Sequence, residues 1–310
     1  MRHNVRWTNA WAGFLERQVR SRLVGQRRPL LAGYKLTLQC NLGCIHCPFW
    51  RRKSDQLDYA GARRVLHRLH DLGVRILIFE GGEPLLWRDG QYRLEDLLKY
   101  AKTLFWSVGV TTNGTLPLPV EADVIWVSVD GLEETTCRIR GPIFAKQMEN
   151  IGQLRHRRLF ANVTINRLNV AEVPSLVQFL AQRVRGITIQ FYYPYGDEAD
   201  LLVPPDQRAE VLDRLITMKR QGYPLLDSYR ALTLLKRPGW RCHSWLIASA
   251  EPDGEVQQGC YLKGRAPITC DLCGFAAHVE MSLAYDLDPG ALRAGLLIFG
   301  LLPGFATRQN

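Results

Sequence analysis

Cys40, Cys44 and Cys47 stand in Leu38-Gln39-Cys40-Asn41-Leu42-Gly43-Cys44-Ile45-His46-Cys47-Pro48, a C-x3-C-x2-C spacing. One short loop thus supplies three thiolates, whereas a cubane iron–sulfur cluster has four irons. The fourth iron is left open to a small molecule. Zinc would need a fourth ligand close by, and His46, wedged between two of the cysteines, is poorly placed to close a tetrahedron with them. The ferredoxin runs C-x2-C-x2-C and C-x4-C-x2-C are spaced differently and belong to clusters ligated wholly by protein.

Such a loop needs rigid elements on either side. Apolar, β-branched-rich runs occur at Tyr34–Gln39, Arg75–Glu80, Trp106–Thr111, Val124–Val129, Ala161–Ile165 and Ile187–Phe191. Helical patterns lie between them, among others at Tyr59–Leu72, Leu94–Leu104, Ala145–Arg155 and Val173–Val184. Short buried-type strands alternating with helices predict parallel βα units. Motifs follow at the strand ends: Ile78-Phe79-Glu80-Gly81-Gly82-Glu83-Pro84, then Thr111-Thr112-Asn113-Gly114, then Val127-Ser128-Val129-Asp130-Gly131.

With the cysteine loop placed before them, these motifs in this order give a chain that resembles the radical S-adenosylmethionine (SAM) superfamily over roughly residues 34–195. The resemblance implies an α/β fold, a partial (β/α)6 TIM-type barrel, with its chemistry at the C-terminal ends of the strands. It implies a 4Fe–4S cluster on Cys40, Cys44 and Cys47 whose open iron chelates the amino and carboxylate groups of SAM. An electron from the cluster then cleaves the sulfonium to methionine and a 5′-deoxyadenosyl radical. Gly81 and Gly82 would let the backbone approach the SAM ammonium, Glu83 would pair with it, and Pro84 would stiffen the turn. Asn113, Ser128 and Asp130 fall where the family places ribose and methionine contacts. Ile165 and Asn166 would line the adenine pocket, and Arg140 is a candidate for the SAM carboxylate. Each of these residues also reads as an ordinary turn, cap or surface residue.

A second set, Cys242, Cys260, Cys270 and Cys273, follows in the C-terminal third, with Pro252-Asp253-Gly254 predicting a tight turn between two strands. Four cysteines complete one cluster or one zinc site. The region resembles the auxiliary-cluster extension called SPASM in its long form and twitch in its short form. That likeness implies a small β-hairpin and helix extension holding one further 4Fe–4S cluster. His243 and His278 flank the set as candidate hydrogen-bond donors to it or as plain structural histidines, and Cys137 is unassigned.

The chain of 310 residues, 46% apolar, can bury one large domain. No segment reads as a signal peptide, so the eight cysteines are expected to be cytosolic thiols, and the protein cytoplasmic or peripheral at the inner membrane surface. Residues 1–33 form a basic N-terminal segment, 34–222 the barrel, 223–290 the auxiliary region and 291–310 an apolar C-terminal segment. Residues 1–30 hold seven arginines against one glutamate, and Val5, Trp7, Trp11, Phe14, Leu15, Val19 and Leu23 recur at helical spacing. This basic amphipathic helix, with the uncharged run over 294–305 at the other end, suits the surface of an anionic membrane. The alternative is two helices that close the barrel with their apolar faces buried. Three functions follow: a radical SAM enzyme acting on a lipid or other membrane-borne molecule, a peptide or protein maturase, or a metal or nucleic-acid binder without catalysis. Against the maturase, residues 1–33 leave no room for a peptide-docking domain before the first strand. Against nucleic acid, the basic residues gather in one helix. The expected partners are an electron donor such as flavodoxin or ferredoxin and a substrate the sequence does not name.

Overall fold

A computed structural model describes residues 2–195, 199–237 and 239–301, with the backbone path alone for 2–9 and 199. Six parallel strands form its centre: β1 (Leu31–Lys35), β2 (Ile76–Glu80), β3 (Ser107–Thr112), β4 (Val124–Ser128), β5 (Leu159–Ile165) and β6 (Gly186–Phe191). The C-terminal strands β7 (Ile247–Ala250) and β8 (Val256–Gln258) form the expected hairpin around the Pro-Asp-Gly turn. It adds to the main sheet, because β7 pairs parallel to β1. The order is β8-β7-β1-β2-β3-β4-β5-β6, and its two end strands are not paired with each other, so the barrel is open.

Two details differ from the sequence expectation. The first strand runs Leu31–Lys35, because after Leu36 the apolar residues up to Leu38 leave the sheet to carry the cysteine loop. The connection from β3 to β4 has no helix. Pro117 and Pro119 fall within it and oppose one.

The helices explain themselves locally. α2 (Tyr59–Leu72) starts where Asp58 Oδ1 accepts from Gly61 N at 2.6 Å and stops at Gly73, φ 117°. It buries Ala62, Val65, Leu66 and Leu69, the i, i+3, i+4, i+7 face that packs on the outside of the sheet. α3 (Leu94–Ala101), α4 (Glu133–Arg140), α5 (Phe144–Gln153), α6 (Val173–Leu180) and α7 (Pro205–Arg220) follow round the outside, then α8 (Tyr229–Leu234), α9 (Ala276–Tyr285) and α10 (Pro289–Ile298).

Strand alternation sets the lumen. Inward positions at the start of the strands are apolar: Leu31, Ile76, Val124, Trp126 and Phe160 sit in two clusters with Met281, Ile298 and Phe299. Inward positions at the far ends are polar: Lys35, Glu80, Thr111, Ser128, Thr164 and Gln190 line one cavity.

The N-terminal helix α1 (Arg2–Leu23) and α10 close the apolar end. Ala10 is buried in that cluster and Phe14 packs on it, while Leu15, Val19 and Leu23 are exposed on the opposite side. The apolar spacing of this helix is therefore split between two faces. Val5 and Trp7 lie outside the described side chains, as do residues 302–305 of the C-terminal apolar run, whose 294–301 part is seated on the barrel at Ala294, Ile298 and Leu301. No described helix is long and apolar enough to cross a membrane.

Candidate active site

Cys40, Cys44 and Cys47 lie on the loop after β1, and all three thiols line a cavity of about 190 Å³ at the polar end of the lumen. All are free thiols. Burial pushes the Cys40 thiol up and the Cys44 thiol to about 11, with the neighbouring thiols adding to both. Bare, these groups resist ionising together, and only a bound cation or cluster supplies the charge that would hold three thiolates. Among the described residues no three His, Cys, Asp or Glu side chains are gathered closely enough to hold a single metal ion. A four-iron cluster asks for a wider spread of thiols than one ion does.

The loop is fastened by backbone. Gly82 N donates to Thr37 O at 2.7 Å and Glu83 N to Gln39 O at 2.8 Å. A Cβ on Gly81 would lie 2.4 Å from Thr37 O, and one on Gly82 2.2 Å from Gln39 O. The glycines of the Gly-Gly-Glu-Pro motif thus let the cysteine loop approach closely, and both also line the cavity.

Glu83 makes protein contacts of its own. Its carboxylate is fully buried and accepts from Thr112 Oγ1 at 2.8 Å, Asn113 N at 2.7 Å and Leu85 N at 3.2 Å, which ties the loop to the end of β3. Burial raises its pKa to about 7 against those hydrogen bonds. These three protein donors hold the side chain in place.

Asp130 and Arg140 come together. Arg140 donates to Asp130 Oδ2 from Nε at 2.7 Å and from Nη2 at 2.6 Å, and its Nη1 reaches within 3.9 Å of Cys44 Sγ. Asp130 Oδ1 accepts from Thr164 N at 2.8 Å. Arg140 lines the cavity and is a buried partner of Asp130 that also faces Cys44. Asn113 lines the cavity, donates from Nδ2 to Asn41 Oδ1 at 2.7 Å, and has the same nitrogen 4.0 Å from Cys40 Sγ. Ser128 is on the wall too. Asn166 is fully buried in a turn, accepting from Leu168 N at 2.9 Å, and Ile165 faces the outer core, so neither forms part of the described wall.

Several wall residues escaped the sequence reading. Lys35 Nζ donates to Glu80 Oε1 at 2.8 Å and to the Tyr261 hydroxyl at 2.5 Å. Burial lowers the Lys35 pKa. Burial opposes ionisation of Glu80 too, yet Lys35 and Arg265 outweigh it and hold the carboxyl below its ordinary value. A lysine and a glutamate at inward positions of apolar strands were the available signal. His46 is buried on the wall, 3.6 Å from Asp130 through Nε2, with Nδ1 lacking any hydrogen-bond partner. That orphaned atom fits a polar ligand in the cavity. A deeper lumen cavity of about 270 Å³ shares Glu80, Thr111, Asn162, Gln190 and Tyr261 with this wall and ends on Ala294, Ile298 and Phe299.

The second cysteine set converges from four positions. Cys242 is pushed up to about 12 by burial and by the thiols of Cys273, Cys260 and Cys270. Cys242 and Cys270 are exposed, Cys260 and Cys273 half-buried. His278 Nδ1 lies 3.7 Å from Cys242 Sγ, and His243 pairs with Asp286 at 3.0 Å instead of with a cysteine. Cys137 is exposed.

Residues 34–180 match the Radical SAM superfamily model. The chain is 23% identical over 221 residues to the Fe-coproporphyrin III synthase of Methanosarcina barkeri, covering 64% of this chain and 54% of that one. It is 28% identical over 266 residues to a probable GTP 3′,8-cyclase of Methanopyrus kandleri, covering 76% and 82%. SuiB of Streptococcus suis, solved bound to S-adenosylmethionine, superposes with a TM-score of 0.62 at 16% identity over 86% of this chain and 67% of that one. SuiB has also been solved bound to its precursor peptide SuiA. The chain spans about half the length of the Fe-coproporphyrin III synthase and of the two AdoMet-dependent heme synthases that it also matches.

Proposed function

The chain belongs to the radical SAM superfamily, and from that premise we propose that it is an enzyme that cleaves SAM reductively at Cys40, Cys44 and Cys47 to modify a substrate held in the barrel lumen. The observation that carries this reading is three thiols on one loop facing one cavity, with no fourth protein thiol beside them. When bound there, a 4Fe–4S cluster supplies the electron that splits SAM into methionine and a 5′-deoxyadenosyl radical. The chain's own residues do the positioning. Gly81, Gly82 and Glu83 fasten the loop to β2 and β3; Asp130 fixes Arg140, whose cation favours the Cys44 thiolate. Asn113, Ser128 and His46 present polar atoms to the ligand, and the apolar end of the lumen keeps water from the reacting centre. The C-terminal cysteines hold a second, fully ligated cluster, which relays electrons and leaves no iron open to substrate.

Assay of iron, sulfide and EPR signal on anaerobically purified protein, followed by SAM cleavage under dithionite, tests both centres. About eight irons per chain, a spectrum that shifts with SAM and formation of 5′-deoxyadenosine are expected. About four irons with cleavage retained moves the C-terminal cysteines to zinc. No cleavage after reconstitution ends the proposal.

The substrate reading is a molecule with an apolar portion, taken from a membrane surface. The apolar lumen floor and the exposed Leu15, Val19 and Leu23 among the arginines of α1 support it. Flotation with anionic liposomes checks it, and a protein that never co-floats loses it. A peptide substrate is the second reading, favoured by the fold shared with peptide-bound SuiB; a short precursor that co-purifies would establish it.

A further inference from the structure

The chemistry proposed above consumes an electron that the chain does not make, and one exposed surface lies directly over the cysteine loop. Ile45 and Trp50 are 39% and 38% exposed there. Neither is a loose loop residue. Ile45 N donates to Ile139 O at 3.0 Å, seating it against the end of α4. Trp50 Nε1 donates to the carbonyl of Cys44 at 3.1 Å, and its ring packs over Gly43. A single hydrogen bond therefore joins a solvent-facing indole to the backbone of one of the three cysteines.

The rim of this patch is basic. Arg51 and Lys53 follow Trp50 in the chain and Arg138 precedes Ile139, the backbone partner of Ile45; all three are exposed, and the Arg51 guanidinium lies 4.6 Å over the Trp50 ring. Residues 41–57 carry Arg51, Arg52 and Lys53 against one carboxylate, Asp55. An aromatic and an aliphatic side chain beside exposed Arg51, Lys53 and Arg138, which outnumber the one exposed carboxylate Asp55 of the loop, have the anatomy of a protein-docking patch, with an apolar centre and a charged rim.

Building on the radical SAM reading, we propose that Ile45, Trp50, Arg51, Lys53 and Arg138 form the docking surface for a small acidic one-electron carrier protein. Charge complementarity selects an acidic partner, and the Trp50–Cys44 contact selects one that delivers electrons. In the step served, the reduced carrier loses one electron and the centre held by Cys40, Cys44 and Cys47 gains it; no bond forms or breaks and no proton moves. A lipid surface is better matched by α1, where Leu23 is 80% exposed.

The probe is purified flavodoxin, an acidic flavin protein. Its affinity for the iron- and sulfide-reconstituted chain is titrated at low and high salt for the wild type and the Arg51→Glu/Lys53→Glu variant. SAM cleavage is then driven by flavodoxin hydroquinone and, separately, by dithionite. The double variant is expected to bind flavodoxin roughly tenfold more weakly at low salt and to lose flavodoxin-driven cleavage in proportion, with dithionite-driven cleavage unchanged. Equal affinity of the two proteins overturns the proposal. So does RNA or anionic vesicles binding through Arg51 and Lys53 in place of flavodoxin. Should the variant not fold, the wild type still decides, since an affinity that does not fall from low to high salt is fatal to a basic docking rim. Absence of cleavage with either reductant would instead sink the radical SAM reading, and the binding titration would still judge the surface.

Discussion

The two cysteine sets solve the same problem in opposite ways. Cys40, Cys44 and Cys47 sit within eight consecutive residues, and the barrel surrounds them with buried polar groups. Glu83, Asp130, Arg140 and Asn113 fix the loop from the ends of three strands and a helix. Cys242, Cys260, Cys270 and Cys273 are gathered from a loop, a strand end and a short turn, two of them exposed, with His278 and Ser282 hydrogen-bonded to the Cys242 thiol. The first arrangement presets geometry on rigid elements, as a centre that must seat a small molecule requires. The second leaves two of its four cysteines exposed.

The sharpest way to break this contrast is to remove each set. Alanine at Cys40, Cys44 and Cys47 is expected to abolish 5′-deoxyadenosine formation and to take about half the iron with it. Alanine at Cys242, Cys260, Cys270 and Cys273 should leave cleavage that is uncoupled from product. Normal product from the second variant would falsify the auxiliary assignment, and cleavage by the first would remove the distinction altogether.

Next in size is the buried ion pair. Asp130→Ala leaves the Arg140 guanidinium buried beside Cys44 without its carboxylate, a loss of about 3–5 kcal/mol. Urea unfolding of the metal-free protein measures it. Asp130→Asn keeps one acceptor and should cost less. A variant as stable as the wild type would mean that the first set is no better held than the second.

Why the two sets differ in legibility follows from the same contrast. Contiguous ligands and the Gly-Gly-Glu-Pro motif are local, and they named the loop, the strand ends and the parallel barrel. Roles set by tertiary contact were not local. Gly82 serves the loop because Gln39 O folds onto it, and Glu83 turns inward because the end of β3 offers it two donors, Thr112 Oγ1 and Asn113 N. The Lys35–Tyr261 bond joins residues 226 apart, beyond the reach of any spacing rule. The first strand was placed too late because Leu36 and Leu38 are as apolar as strand residues, while their neighbours Thr37 and Gln39 give their carbonyls to the Gly-Gly turn.

A pH titration probes the side of the lumen nearest the second set. Glu280 on α9 is raised to about 8, by burial first and then by Asp227, against Ser228 N–H and Lys219. Its folded pKa lies above its ordinary value of 4.5, so the folded state holds the proton more tightly. This contribution to stability is full below about 4.5 and is lost as pH rises towards 8. Glu280→Gln keeps the hydrogen-bonding shape without the charge. The variant should therefore gain on the wild type in urea midpoint from pH 5 to pH 8; a constant difference across that range would show that the carboxyl is not held protonated.

The smallest expected effect concerns His278, which hydrogen-bonds Cys242 of the second set. Tyr261 N–H donates to His278 Nε2 at 3.3 Å, which makes that nitrogen the acceptor, and burial lowers the ring pKa to about 4, so the ring is neutral. The proton must then sit on Nδ1, 3.7 Å from Cys242 Sγ, and be donated to it. A hydrogen bond to a ligating sulfur stabilises the more negative, reduced centre and raises its potential. His278→Phe fills the same space without the donor. Measured in the Cys40/Cys44/Cys47→Ala background, where only the C-terminal centre remains, the potential should shift downwards with iron content unchanged. His278→Asn, which can return an N–H to that position, should recover part of the shift. An unmoved potential would leave His278 as packing, and loss of iron would show that this histidine holds the shape of the set instead of tuning it.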